Sequence, residues 1–439
     1  MSMRILFLSN FYPPSRPGGY TQWCHEVAES LATRGHTIGV LTSHYQREQA
    51  PANERDVYRV LHLESDLFYY RPLDFFLSWK RHEQENLAAL ARVVEHFEPD
   101  VVFVWGMWAL SKSLPALAER LLPSRVVYYL SDYWPADVDM HTAYWRRPSR
   151  SWPGRLPKRI LGAIALSMLN GTGKPALQFE RVICVSCAVR DILVEAGVPI
   201  QHARIIHGGT DASRFLDGSG GNGHRHVGRE RQGLKLVYAG QFVPHKGVHT
   251  AVDAMARLVH EQGMKQVSLV LLGAGHPAYE ASLRDLVAKN GLQDYVTFHD
   301  AVTREEMPAL LRQFDALVFP SIYEEPLARM TQEAMLAGLV VVGTTTGGTK
   351  EILRDGENGL TFAAEDAAGL TRQIRRLVFA PDLVQRLAEA GRRTVLEKFT
   401  LDRMVDEIED YLDEIVSEMP ATQSLPGSVA RGAAPRNLR

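Results

Sequence analysis

The chain has 439 residues, of which 45% are hydrophobic and 23% charged, and its formal net charge at pH 7 is −2. This composition is typical of a soluble globular protein, and the length favours two or three domains over one. A net charge so near zero gives no general attraction to nucleic acid or to an anionic membrane, so we predict no nucleic-acid partner.

The cysteines and the apolar runs bear on the compartment. Three cysteines, Cys24, Cys184 and Cys187, are too few and too sparse for a disulfide framework and are typical of a reducing compartment. Cys184 and Cys187 form a C-x-x-C pair, but no second pair completes a zinc site, so we interpret them as structural. Ser186 is expected to cap the following helix. No signal sequence or spanning segment is evident, which predicts a cytoplasmic protein.

Apolar strand-like runs alternate with helical segments along the chain. The first helical pattern, at 21–35, places Trp23, Val27 and Leu31 on one face. Near-continuous apolar strands between amphipathic helices predict an α/β fold with doubly wound, Rossmann-like parallel sheets. The strand candidates are RILFLS, TIGVLT, VVFVWG, RVVYYLS, RVICVS, ARIIHGG, KLVYAGQ, VSLVLLG, YVTFHD, ALVFPS and LVVVGTT.

A glycine-rich polar stretch at 216–233 divides the chain. We interpret it as a linker between two Rossmann-like domains, at 1–215 and 234–400. An acidic amphipathic helix is predicted at about 401–419, followed by a disordered tail at 420–439. In doubly wound domains ligands bind at the carboxyl ends of the strands, so two such domains predict two ligands brought together across a cleft.

Loops after strands in the second half carry features that suit a diphosphate. Lys246 offers a full positive charge, and glycines at 273, 275, 347 and 348 lie where helices begin. Helix N-termini present unpaired N–H groups and a partial positive charge, which favour phosphate oxygens. Gly273 and Gly275 also fit a G-x-G-x-x-A dinucleotide fingerprint, which leaves a nicotinamide-dependent oxidoreductase as an alternative.

Two glutamates flank the strand-to-helix junction in FPSIYEEPLARMTQEAMLAG. Glu333 is placed to accept both hydroxyls of a ribose, and Glu325 to contact a sugar carried on the diphosphate. The alternative is that Glu325 only favours the helix N-terminus and Glu333 is a surface residue. Glu324 is adjacent to Glu325 and competes with it for the assignment.

In the first half, Gly18 and Gly19 form a loop that lets a ligand approach the backbone closely. A tight turn that needs positive φ is equally compatible with the two glycines. Asp132 follows an apolar strand, where a catalytic carboxylate belongs in an open α/β sheet, although capping a loop is the alternative.

Three signatures carry a family resemblance: GGYTQWCHEVAESLATRGHTIGVLT, YAGQFVPHKGVHTAVDAM and FPSIYEEPLARMTQEAMLAGLVVVGTTTGGTKEILRDGENGLTF. On these residues the chain resembles the retaining glycosyltransferases of family 4, the group 1 class with the GT-B fold. The resemblance implies transfer of a sugar from a nucleotide donor, UDP- or GDP-sugar, to a hydroxyl acceptor with retention of anomeric configuration. It also suggests a role in polysaccharide, glycolipid or glycoside biosynthesis.

The resemblance also implies residue roles. Glu325 and Glu333 match the family's E-x7-E pair, with Glu325 near the donor sugar and Glu333 on the ribose. Lys246 matches the lysine that neutralises the diphosphate, and Gly19 matches the glycine loop that approaches it from the first domain. The last helix would pack back on the first domain.

Further donor contacts, and departures from the family pattern, follow from the same alignment. Leu327 and Ala328 replace the usual Phe-Gly, whose backbone N–H groups face the diphosphate. Gln241 stands where the family often has arginine, which removes one positive charge. Ser131 precedes Asp132 where many members have histidine, which shifts attention to Asp132 as an acceptor-side base or orienting group. These departures keep a catalytically silent partner subunit as an alternative.

No metal or organic cofactor is predicted, because no cluster of aspartates or histidines with metal-ligand spacing is evident in the sequence. The segment at 141–171 combines basic residues, tryptophans and an apolar helix. One interpretation is peripheral contact with the inner face of an anionic membrane or with a lipid-linked acceptor. The alternative is an insertion whose helix packs on the first domain.

Overall fold

The computed structural model describes residues 2–15, 18–51, 54–65, 70–149, 154–170, 175–216 and 233–418. The chain divides into two compact units. The N-terminal unit comprises residues 1–185 and 189–206 together with the chain from 405 onward, and the C-terminal unit comprises 186–188 and 207–404. The predicted linker falls almost wholly on 217–232 and the predicted tail on 420–439, outside the described residues.

The N-terminal unit is built on a seven-stranded parallel sheet in the order β3-β2-β1-β4-β5-β6-β7. Its strands are β1 (Arg4–Leu8), β2 (Thr37–Ser43), β3 (Val57–Leu61), β4 (Val101–Val104), β5 (Val126–Leu130), β6 (Arg181–Cys184) and β7 (Arg204–Ile205). Its helices are α1 (Gly19–Thr33), α2 (Pro72–Phe97), α3 (Ser113–Leu121), α4 (Met140–Arg146), α5 (Arg155–Asn170) and most of α6 (Cys187–Glu195).

The C-terminal unit is built on a six-stranded parallel sheet in the order β10-β9-β8-β11-β12-β13. Its strands are β8 (Leu234–Ala239), β9 (Val267–Leu272), β10 (Val296–His299), β11 (Ala316–Phe319), β12 (Val340–Gly343) and β13 (Leu360–Thr361). Its helices are α7 (Ser213–Leu216), α8 (Val248–Ala256), α9 (Pro277–Lys289), α10 (Met307–Leu311), α11 (Arg329–Leu336), α12 (Thr349–Ile352), α13 (Ala367–Phe379) and α14 (Pro381–Lys398); α15 (Leu401–Glu418) follows.

The central strands are apolar along almost their whole length because both faces of each sheet are covered. Both faces of the central strands are covered, so the side chains of 5–8, 101–104 and 127–130 are fully buried. Every strand candidate became a strand, which confirms the predicted α/β class. Two strands were missed, because Arg59 interrupts the apolar run of β3 and β13 is only two residues long.

Each sheet has one point where the strand order reverses direction. In the N-terminal unit this point lies between β1 and β4, and in the C-terminal unit between β8 and β11. The loops that leave the carboxyl ends of two such strands diverge to opposite faces of the sheet and open a crevice between them. Residues that follow β8 and β11 are therefore the first place to look for a ligand site in the C-terminal unit.

Most of the last helix belongs to the N-terminal unit. Residues 405–418 of α15 belong to that unit, and Ile408, Leu412 and Ile415 are buried there. Glu409 accepts hydrogen bonds from Arg34 (2.5 Å) and His36 (2.9 Å). Burial of the apolar stripe supplies most of the attachment, because ion pairs at partly exposed positions contribute little.

No helix among the described residues combines the length and the apolar character that crossing a bilayer requires. The three cysteines carry free thiols, with Cys24 and Cys184 buried and Cys187 half-buried.

Candidate active site

Lys246 and Glu325 meet at the crevice of the C-terminal sheet. Lys246 lies in the loop after β8 and Glu325 in the loop after β11, and Lys246 Nζ is 2.6 Å from Glu325 Oε1. The side chain of Glu325 is 8% exposed and that of Lys246 23% exposed. A cation and an anion are thus held next to the strand ends where a phosphate ligand would bind.

Several groups fix Glu325 in this position. The Ser321 hydroxyl donates to Glu325 Oε1 at 2.5 Å, and the main-chain N–H of Gly348 donates to the Glu325 carbonyl oxygen at 2.6 Å. Gly347 is in the left-handed region, with φ of +54°. A Cβ on Gly347 would lie 2.3 Å from the Glu325 carbonyl oxygen, so only glycine allows the two loops to approach this closely.

The structure separates the two adjacent glutamates by their partners. Glu324 accepts a hydrogen bond from the Gly347 main-chain N–H at 2.5 Å, whereas Glu325 faces Lys246. Glu324 therefore stabilises the turn at Gly347, and Glu325 is the carboxylate at the crevice, in agreement with the eight-residue spacing to Glu333.

Helix α11 begins directly after this loop. Ala328 precedes its first residue, and Leu327 and Ala328 are both buried. This end of α11 carries the positive end of the helix dipole, which suits an anionic ligand.

Glu333 is one turn further along α11 and is paired with Arg329, a residue that the sequence reasoning did not consider. Arg329 Nε donates to Glu333 Oε1 at 2.9 Å, and the two side chains are only 10% and 13% exposed. Glu333 is thus mostly buried and ion-paired, and its predicted contact with a ribose stays a prediction. The i,i+4 spacing of Arg329 and Glu333 was a signal in the sequence that could have predicted the pair.

Two further candidate donor residues lie in neighbouring loops. Gly275 approaches the main chain at Phe242 so closely that a Cβ would lie 2.1 Å from the Phe242 carbonyl oxygen. Gln241 is exposed at the end of β8, and its carbonyl oxygen accepts a hydrogen bond from Tyr238 at 2.7 Å. Gly275 thus has a structural reason to be glycine, whatever it contacts in a complex.

In the N-terminal unit Gly18 and Gly19 lie where the loop after β1 leads into α1. Strand β1 borders the point where the strand order of this sheet reverses. Gly18 has φ of −173°, an extended conformation that any residue adopts, and Gly19 is the first residue of α1. The tight-turn interpretation is therefore wrong for Gly18. Tyr20, next along, exchanges hydrogen bonds with Asn10 at the end of β1, and a Cβ on Gly106 would collide with the Tyr20 ring.

Asp132 lies just after β5. Its carboxylate accepts a hydrogen bond from the Trp134 main-chain N–H at 3.1 Å, so it does cap the loop. Burial raises the pKa of the Asp132 carboxyl to about 7, against the effect of that hydrogen bond. Burial also raises the pKa of the Tyr20 phenol, and the nearby Asp132 charge adds to this shift. Ser131 is buried.

Glu351 contributes to the N-terminal cap of the helix after the C-x-x-C pair, accepting from the main-chain N–H groups of Cys187 and Ala188 at 3.1 and 3.0 Å. The Ser186 hydroxyl donates a hydrogen bond to the Pro326 carbonyl oxygen at 2.6 Å, and its predicted role as a cap stays a prediction. Burial alone would raise the pKa of Glu351, but hydrogen bonds from His207 and these N–H groups outweigh it and lower the pKa. The sequence did not predict this capping role of Glu351, because its partners Cys187 and Ala188 are distant along the chain.

The segment at 141–171 folds into α4 and α5, with residues 150–153 and 171 outside the described part of the chain. One face of it packs on the N-terminal unit, where Trp145 and Ala165 are buried with Phe75 and Trp79 of α2. The other face of α5 is exposed, with Leu156 67% accessible. The remaining exposed apolar residues of α5 are Ile160, Leu161 and Ile164.

Comparison with known proteins decides the family. Residues 17–214 match the family model described as Glycosyltransferase Family 4, and residues 224–394 match that described as Glycosyl transferases group 1. The two matches together span nearly the whole of both units. The chain belongs to the group 1 glycosyltransferases. This membership favours sugar transfer over the dinucleotide interpretation of Gly273 and Gly275.

Two relatives of this glycosyltransferase align over almost its full length. The glycogen synthase of Mycobacterium tuberculosis is 26% identical over 410 residues, covering 90% of this chain and 91% of that protein. The MMP alpha-(1->4)-mannosyltransferase of Mycolicibacterium hassiacum is 26% identical over 425 residues, covering 91% and 95%.

Solved structures give the fold. HepE from Anabaena, determined in complex with UDP-glucose, superimposes with a TM-score of 0.66 at 22% identity, covering 94% of this chain and 100% of that one. WaaG, a glycosyltransferase involved in lipopolysaccharide biosynthesis, gives a TM-score of 0.60 at 18% identity, covering 93% and 99%. The two Rossmann-like units are therefore those of a GT-B glycosyltransferase, as predicted.

Proposed function

We propose that this glycosyltransferase is a retaining enzyme that moves a sugar from a nucleoside-diphosphate sugar to a hydroxyl acceptor. The observation that carries the proposal is the Lys246–Glu325 pair at the carboxyl ends of β8 and β11, beside the N-terminus of α11. A cation and a helix N-terminus suit a diphosphate, and a carboxylate beside them suits sugar hydroxyls. The UDP-glucose complex of the structurally similar HepE supports a nucleotide-sugar donor.

In the proposed reaction the bond between the anomeric carbon and the diphosphate oxygen breaks, and both electrons leave with the nucleoside diphosphate. The acceptor oxygen forms its new bond on the same face, and its proton passes to the departing phosphate oxygen. Lys246 and the N–H groups at Leu327 and Ala328 stabilise the charge that develops on the diphosphate. Glu333 accepts hydrogen bonds from the ribose, and Glu325 from the donor sugar. No step in this scheme requires a metal.

A donor screen tests the proposal. Thermal unfolding would be measured with UDP-, GDP- and ADP-sugars, because a donor that binds the folded state raises Tm by mass action. The stabilising donor would then be incubated with acceptors, and the anomeric configuration of the product read by NMR. An α-linked product from an α-linked donor is expected. An inverted product would overturn the retaining mechanism, and no stabilisation by any nucleotide sugar would overturn the donor assignment.

The silent-subunit alternative rests on Gln241 and Ser131. It is distinguished by measuring release of nucleoside diphosphate from the stabilising donor. Turnover would exclude it, whereas binding without transfer or hydrolysis across an acceptor panel would favour it.

We expect Asp132→Asn to remove a pH dependence. Asp132 is proposed to orient the acceptor hydroxyl, which only the ionised carboxylate does well. Because burial raises the pKa of Asp132 to about 7, activity should fall as the pH drops through that value. In Asp132→Asn, kcat should be lower and this acid limb absent. Asp191→Asn, at an exposed position of α6, is the control and should keep the wild-type profile. Unchanged turnover in Asp132→Asn would refute the role.

Arg329→Leu should raise KM for the donor more than it lowers kcat. Arg329 holds Glu333 Oε1 in place for the proposed ribose contact, so its loss frees the carboxylate to rotate. We expect KM for the donor to rise about 10-fold with little change in kcat, and Arg329→Lys to restore part of the loss. Arg284→Leu breaks an exposed i,i+4 pair with Glu280 in the same unit and should leave KM unchanged. Equal losses in both variants would contradict a positioning role.

We further propose that the exposed face of α5 rests on an anionic membrane surface or reaches a lipid-linked acceptor there. Leu156, Ile160 and Ile164 recur every four residues on that face, and Arg155 and Arg159 on the same helix are exposed. Exposed apolar residues beside basic ones are typical of interfacial helices.

Sedimentation with vesicles containing phosphatidylglycerol tests this contact. The wild-type protein should sediment with anionic vesicles and not with zwitterionic ones, and the double variant Leu156→Glu/Ile160→Glu should remain in the supernatant. Phe379→Glu, at an exposed apolar position of α13, is the matched control and should still sediment. Absence of wild-type binding would refute the proposal and leave α5 as a helix that only packs on the N-terminal unit.

A further inference from the structure

A cluster of histidines lies at the carboxyl ends of β2 and β3 in the N-terminal unit. His44 follows β2, His62 follows β3, and these strands are parallel neighbours, so both residues reach the same edge of the sheet. His82 and Glu85 come from α2, where a spacing of three residues puts them on one face. The sequence analysis found no such cluster, because its members are separated by up to 41 residues (Glu85 minus His44) and converge only on folding.

The side chains of this cluster are in mutual contact. His62 Nε2 is 3.0 Å from Glu85 Oε2. The rings of His62 and His82 stack with centroids 4.2 Å apart, and His44 meets His62 edge-on at 4.9 Å. One ligand atom from each of His62, His82 and Glu85 lies within 4.8 Å of the other two.

Neighbouring groups hold the cluster in place. Asn86 is buried, accepts from the His62 main-chain N–H at 2.7 Å and donates to the His62 carbonyl oxygen at 2.9 Å. His44 Nδ1 lies 2.9 Å from the Leu61 carbonyl oxygen. A carbonyl only accepts, so Nδ1 donates this hydrogen bond, which fixes the orientation of the His44 ring beside His62.

The cluster also supplies a suitable set of donor types. His62 and His82 offer imidazole nitrogens, which bind transition metals, and Glu85 supplies the one anionic ligand of the set.

We propose that His62, His82 and Glu85 bind a divalent transition metal of the zinc type. Two imidazoles and one carboxylate favour Zn²⁺ over Mg²⁺ or Ca²⁺, which take oxygen ligands. A metal lies in the plane of each ligating ring, so the parallel stack must open. His82 is half-buried on the outer surface of α2 and is the ring that turns. The bound ion would tie the end of β3 to α2 at the ligand edge of the N-terminal sheet.

Isothermal titration of tag-free protein, stripped with a chelator, tests the site. One equivalent of ZnCl2 should bind with micromolar or tighter affinity and raise Tm, and MgCl2 at the same concentration should do neither. His82→Asn and Glu85→Gln should each weaken zinc binding by at least about 10-fold. His96→Asn, at an exposed position in the last turn of the same helix, is the matched control and should bind as wild type.

The outcomes separate clearly. Absence of zinc binding by the wild-type protein, or binding that His82→Asn and Glu85→Gln leave unchanged, would overturn the site. In the first case the cluster is an ion pair beside stacked rings, and in the second the zinc sits elsewhere. Far-UV circular dichroism of each variant would show that a loss of binding is not a loss of folding. No readout depends on sugar transfer, so the result is independent of the proposed function.

Discussion

Lys246→Met is expected to lower kcat/KM by about 10²–10³-fold, the loss typical of removing one group that stabilises developing negative charge. Lys246 is the cation that contacts Glu325 at the end of β8, and in the proposed reaction it stabilises the leaving diphosphate. Methionine has nearly the length of the lysine stem and removes the ammonium group, with its charge and its hydrogen-bond donors. Steady-state kinetics with the donor identified by thermal shift would measure the effect.

A control and a double variant make the Lys246 result interpretable. Lys289→Met, at the exposed end of α9, should retain wild-type activity. Lys246→Met also leaves the buried Glu325 carboxylate without its cation, at a cost of about 1–3 kcal/mol in the free energy of unfolding. Adding Glu325→Gln should recover much of that stability and none of the activity. Recovery of activity in the double variant would mean that Lys246 only neutralises Glu325.

Gly347→Ala is expected to damage both stability and activity. Gly347 has φ of +54°, where a side chain costs about 1–2 kcal/mol, and its Cβ would lie 2.3 Å from the Glu325 carbonyl oxygen. The added methyl group must displace the backbone that carries Glu325, so kcat should fall by at least about 100-fold, since a shift near 1 Å at a reacting group has that effect. Urea unfolding and donor kinetics would measure the two losses.

The chain offers a matched control for Gly347. Gly338 has φ of +84°, but a Cβ there would meet no atom within 4 Å. Gly338→Ala should therefore show the backbone strain alone, a loss of about 1–2 kcal/mol with normal kinetics. If both variants lost the same stability and kept full activity, the close approach of the two loops would not matter for the site.

The sequence predicted the parts that local chemistry encodes. Buried parallel strands must be apolar along their whole length, so runs such as 101–104 are recognisable in the sequence. Their alternation with helical patterns predicts the α/β class. Lys246, Glu325 and Glu333 were chosen from loop position, charge and spacing, and the structure brings Lys246 and Glu325 to within 2.6 Å. The short β13 and the arginine-bearing β3 escaped because neither presents a continuous apolar run.

Partners that are distant in sequence were decided only by the tertiary structure. Nothing in the local sequence shows that Glu324 stabilises the Gly347 turn while Glu325 faces Lys246. The same holds for Glu351, which caps the helix at Cys187 from 164 residues away.

The histidine cluster is the clearest case. His44 follows β2, His62 follows β3 and His82 lies in α2, with no common motif in the chain. Strand order and the packing of α2 place their rings in contact. A sequence fixes which groups can bind or react, through the chemistry of each side chain. Which of them meet depends on contacts between elements far apart along the chain, and that information resides in the fold.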